Sequence, residues 1–91
     1  MGYYIQGPTL GKAEAIIRQY NALQMSPEEA LKALKAGSGV VCVVENGMFD
    51  AAAFCYDEEE FDAFNDPHDL RPKTWLVMNL KKAKELSEFN R

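Results

Sequence analysis

Apolar residues along the chain change their spacing several times, and each change marks an element. Tyr3 to Gln6 is aromatic and β-branched, a short strand near 3–6 closed by Gly7-Pro8. From there the apolar positions are Leu10, Ala13, Ile16, Ile17, Tyr20 and Leu23, which form one face of a helix near 8–22. Pro8 suits the first helical position, where its missing N–H costs nothing. Ser26-Pro27-Glu28-Glu29 combines a capping Ser, a first-turn Pro and a Glu three residues after the cap. With Gly37 as a left-handed C-terminal residue, it predicts a helix near 27–36 whose Ala30, Leu31 and Leu34 turn inward.

The run GVVCVVENGMFDAAAFCY predicts a hairpin, with strands near 39–45 and 48–56 joined at Asn46-Gly47. One face carries Val40, Cys42, Val44, Phe49, Ala51, Ala53 and Cys55. The other carries Val41, Val43, Phe54 and Tyr56 together with Glu45 and Asp50. Asp57 and the acids after it repeat the capping pattern and open a helix near 57–65, anchored by Phe61 and Phe64. TWLVM forms a last strand near 74–78, and Asn79 caps a helix near 80–89 with Leu80, Ala83, Leu86 and Phe89 inward. The expectation is one α+β domain over residues 1–91: a two-layer arrangement in which about four strands carry helices mainly on one face.

Composition adds limits. A chain of 91 residues with 47 % hydrophobic content can bury one core, and no tract reaches the roughly 18 apolar residues of a membrane span. A cytoplasmic protein is expected. In the hairpin with an Asn46-Gly47 turn, Cys42 faces Ala51 and Cys55 faces Ser38. The sulfurs then stand about 13 Å apart along the strand, beyond the roughly 7 Å between Cα atoms that a disulfide tolerates. Both cysteines read as reduced core thiols.

GPTLGK, residues 7–12, resembles a phosphate-binding loop on first sight. That loop needs four residues between its glycines and a hydroxyl after the Lys, because backbone N–H groups wrap the phosphates and the hydroxyl holds magnesium. Gly7 and Gly11 enclose three residues and Ala13 replaces the hydroxyl. What survives is a helix N-terminus that could hold a small anion or nucleotide, with Thr9 and Lys12 as its residues.

Charge is more unusual. Between Met48 and Leu70 lie eight carboxylates and no Lys or Arg, while the remaining ten basic and six acidic residues are net positive. Asp57, Glu58, Glu59, Glu60, Asp62, Asp66 and Asp69 form the candidate surface for a basic protein partner, against the plainer reading of a solvated, capped helix. The calcium-loop spacing is absent. His68 stands between Asp66 and Asp69, but one imidazole without paired cysteines makes no zinc set, so no metal or cofactor is expected. Scattered cations in a net-acidic chain give no clustered phosphate contacts, so nucleic-acid binding is not expected. The acids pair with no plausible base and nothing brings a cysteine to His68, so no catalysis is expected either. If all helices sit on one face, Val41, Val43, Phe54 and Tyr56 leave an apolar strip open to a partner or a second copy.

The stretches YYIQGPTLGKAE, ENGMFDAAAFCYDEEEFDAF and RPKTWLVM resemble small uncharacterised proteins encoded in bacteriophage and prophage genomes. The resemblance covers about half the chain. It implies a class, a short cytosolic protein that binds a host or phage protein, and carries over no functional residue.

Overall fold

The computed structural model describes residues 12–46 and 49–89. The elements are α1 (Lys12–Tyr20), β1 (Leu23–Met25), α2 (Pro27–Lys35), β2 (Gly39–Asn46), β3 (Phe49–Cys55), α3 (Glu58–Phe64), β4 (Lys73–Met78) and α4 (Leu80–Phe89). The fold is α+β. Its four strands form one antiparallel sheet in the order β1-β4-β2-β3. The expected strand near 3–6 and the first residues of the expected first helix lie outside the described residues.

Local chemistry explains most boundaries. Ser26 caps α2 by accepting the N–H of Glu29, whose carboxylate accepts the Ser26 N–H in return. At the other end Gly37 has φ 100°, and the Gly37 and Ser38 N–H groups bond the carbonyls of Leu34 and Ala33. That is a Schellman ending, and it needs a residue without a Cβ penalty at Gly37. Asp57 caps α3 by accepting the Glu60 N–H at 2.8 Å, and Glu60 accepts the Tyr56 N–H at 2.9 Å. Asn79 caps α4 by accepting from the Lys81 N–H at 2.9 Å.

β1 is the element that helical periodicity concealed. Asn21 adopts φ 57°, which stops α1 after Tyr20, and Ala22 is buried. Leu23, which continues the apolar stripe of α1, belongs instead to a strand paired with Val77 of β4. LQM has little intrinsic strand preference, so the pairing comes from β4 rather than from the segment itself.

The hairpin register also differs. Cys42 pairs with Ala53 and Cys55 with Val40, two residues from the partners expected of a turn at Asn46-Gly47, because Asn46 and Phe49 still pair. A shift of two preserves which side chains share a face. Both cysteines remain free and buried, as expected.

The helices do not sit mainly on one face, and the arrangement is not two-layered. Alternate strand residues feed two separate cores. Val40, Cys42, Val44, Cys55, Trp75 and Val77 pack with Ala30 and Leu34 of α2 and Phe61 of α3. Val41, Val43, Leu76 and Met78 pack with Ile16 of α1 and Ala83 and Leu86 of α4. The reason is visible in β2: from Val40 to Val44 every residue is buried, so neither face can be left to water. Glu45 and Asp50, the polar residues of the second face, form a pair near the hairpin end. α4 comes very close to the sheet at Gly39, where any Cβ would collide with the Ala83 side chain.

Candidate functional site

The apolar strip expected on the sheet is not a surface. Val41 and Val43 are buried, and Phe54 and Tyr56 are half-buried against the α1–α4 core. Tyr56 reaches the Ala83 carbonyl with its hydroxyl at 3.5 Å. These four residues therefore hold the molecule's own helices, and a partner or second copy cannot dock there without removing α1 or α4.

The anion site also takes a different form. Thr9 lies outside the described residues. Lys12 opens α1, and its backbone N–H donates to Asp50 Oδ2 of β3 at 3.2 Å. A carboxylate of the chain itself thus stands at the helix N-terminus, where the backbone dipole favours negative charge. Burial lowers the Lys12 ammonium from its ordinary range, and the neighbouring Asp50 opposes that shift.

The acidic residues separate into groups with distinct duties. Asp57 and Glu60 bond backbone N–H groups around the start of α3. Glu58 meets Lys35 of α2 at 3.5 Å, with both side chains more than half exposed, a pair of little energetic weight. Asp66 and Asp69 order the loop between α3 and β4. Asp66 accepts the His68 N–H at 2.9 Å, and Asp69 accepts from Arg71 Nε at 2.9 Å and Nη2 at 2.6 Å. Lys73 lies 3.6 Å from the same carboxylate and donates to the Asp69 carbonyl. The forked hydrogen bond from Arg71 holds the Asp69 carboxyl well below the usual carboxylate range. His68 is exposed and bonded only locally, and among the described residues no three His, Cys, Asp or Glu side chains converge as metal ligands.

Glu59 and Asp62 have no such duty: both are exposed on α3, and no described side chain pairs with either. They join Glu28 and Glu29 of α2 on the same side of the sheet. From Ser26 to Lys35 and from Asp57 to Phe64 there are seven acidic and two basic residues, against three acidic and five basic in α1 and α4. The sheet therefore separates an acidic helical layer from a mildly basic one. Sequence order hid this segregation, because α2 and α3 are adjacent only in space. Among the described residues three large apolar side chains are exposed: Phe64 at the end of α3, Leu70 in the loop that follows it, to 89 %, and Leu23 of β1.

The cysteines offer no nucleophile. Burial raises the Cys42 thiol to about 11 and the Cys55 thiol to about 12, keeping both protonated at neutral pH. None of the described helices is long and apolar enough to cross a membrane. Compared with known protein families, curated proteins and solved structures, the chain matches none.

Proposed function

We propose that this chain is a non-enzymatic interaction module whose α2–α3 layer docks a basic protein. The observation that carries the reading is the segregation of charge: the sheet holds seven acids with two bases on one side and the reverse imbalance on the other. Such a layer speeds encounter with a cationic surface and repels acidic competitors. Glu59 and Asp62 supply uncommitted charge, while Phe64 at the end of α3 and Leu70 in the loop after it supply exposed apolar surface. A host or phage protein, the class of partner that the phage resemblance implies, fits this description.

Reversal of Glu59 and Asp62 to Lys tests the reading without touching the caps at Asp57 and Glu60. In capture from the native host lysate, the doubly reversed protein should lose the specific partner at low salt. The wild-type advantage should shrink as ionic strength rises. Equal capture by both proteins, with folding intact, would remove the acidic layer from consideration. The alternative, a small-anion or nucleotide site at Lys12, predicts a thermal shift with phosphate or ATP that Lys12→Ala abolishes. The Asp50 carboxylate already beside the Lys12 N–H weighs against it.

A further inference from the structure

α4 carries its charges against its own dipole. In α1, α2 and α3 an acid stands in the first turn, and α1 and α2 place a base in the last. α4 has no acid in its first turn and no base in its last. Lys81, Lys82 and Lys84 occupy its N-terminal half, and Glu85 and Glu88 its C-terminal half. Taken alone, that order weakens the helix at both ends. The i,i+4 couples Lys81 with Glu85 and Lys84 with Glu88 also run in the weaker sense, base before acid.

Neither couple closes. Among the described residues no ion pair involves any of these four, and all four are exposed. Their spacing puts them on one face of α4, turned away from Ala83 and Leu86, which are buried against the sheet. With Leu80 they line a single open depression of the surface.

That face is complementary to itself. About the midpoint between Lys84 and Glu85, Lys81 answers Glu88 and Lys84 answers Glu85, each with the sign exchanged. A two-fold axis through this midpoint, perpendicular to the helix, lays a second α4 antiparallel to the first. We propose that this face is the contact between two copies of the chain, with Lys81 of each meeting Glu88 of the other, and Lys84 meeting Glu85. The interface is isologous, the same patch on both copies.

Two arguments choose a second copy as the occupant. Any other protein must offer acids opposite Lys81 and Lys84 and bases opposite Glu85 and Glu88, at helical spacing. α4 offers that set already. The second argument is the dipole: in the antiparallel pair, Glu88 of the second copy supplies the acid missing from the first turn, and its Lys81 supplies the base missing from the last. An order that weakens one helix is corrected by two. Because α4 packs on the face opposite α2 and α3, the pair keeps both acidic layers outward, and it stands whether or not those layers bind a basic protein.

Exposed ion pairs are weak singly, so four of them make a dimer with a dissociation constant of about 0.1–1 mM that salt disrupts. Sedimentation equilibrium on the full-length chain in about 20 mM salt should show a mass rising from one chain toward two between about 0.05 and 2 mM protein. The association constant should fall at least about tenfold by about 0.5 M salt. Lys81→Glu with Lys84→Glu should be monomeric, as should Glu85→Lys with Glu88→Lys, each with the circular dichroism of the wild type. Mixed in equal amounts, these two proteins should pair. All four reversals in one chain invert every sign and restore the pattern, so that protein should dimerise with itself and not with the wild type.

A wild type that stays monomeric throughout would overturn the proposal. A double reversal that dimerises as the wild type does would place the contact elsewhere, and pairing of the wild type with the fourfold variant would make the helices parallel. Either result would refute it too, and the fourfold variant keeps the test decisive if a double reversal does not fold.

Discussion

The two faces of the sheet are supplied by alternate residues of the same strands, yet their helices are seated in different ways. On the acidic face α2 and α3 are finished locally: each N-cap serine or aspartate accepts an N–H three residues ahead. On the other face α1 receives Asp50 from 38 residues away, and α4, although capped by Asn79, is seated on a glycine of β2. Local bonding frees a helix surface for charge. Seating through distant contacts ties a helix to the sheet, and the more neutral α1–α4 layer carries that tie.

Core truncation gives the largest expected effects and asks whether the two layers are equally essential. Phe61 is buried against Trp75, with ring centroids 4.5 Å apart, and Phe61→Ala should cost about 3–5 kcal/mol in urea unfolding. Leu86, buried under α4, should cost about 2–5 kcal/mol on replacement by Ala. Similar losses with one cooperative transition would show that both cores fold as a unit. A biphasic curve for either variant would show that they do not.

Gly39→Ala should come next, at about 1–3 kcal/mol, because the added methyl must displace Ala83 and α4 with it. Amides of α4 should lose hydrogen-exchange protection before those of α2, and a uniform loss would contradict the distinction between the layers.

Smaller effects compare the caps. Ser26→Ala and Asp57→Ala should each cost about 1 kcal/mol, and Asp50→Ala about 0.5–1 kcal/mol by baring the start of α1. The smallest prediction concerns the loop. Asp69 should keep the carbon-13 shift of an ionised carboxylate at pH values where an ordinary Asp, near about 3.9, is half protonated. Its native value is depressed, so the stability it contributes is present above the ordinary range and is lost as pH falls toward the native value. Arg71→Ala should return the titration to the ordinary range.

Elements whose signals are local were legible in the sequence. The capping box at Ser26, the acidic cap at Asp57, the left-handed Gly37 and the Asn79 cap all stand where the residue types place them. β1 was not legible, because Leu23 keeps helical spacing with Tyr20 and only the positive φ of Asn21 ends the helix. The second helical layer was missed for a different reason. Glu45 and Asp50 suggested a wet face, but they sit near the hairpin end and leave Val41 and Val43 to be buried. Of the candidate site residues, the acidic run was visible as composition. Its division into caps, loop staples and the free pair Glu59 and Asp62 required the fold.

Gly39 also settles an ambiguity that the valines of β2 leave open. Val40, Val41, Cys42, Val43 and Val44 are all buried, so sliding the strand by one residue would exchange two apolar sets of similar bulk. In a half-wet strand such a slip would drive polar side chains inward, but here hydrophobicity is nearly blind to it. The glycine is the index mark: only a residue without a side chain fits beneath Ala83, and a slip would bring Val40 to that place. One missing methyl thus tells each valine which layer it belongs to.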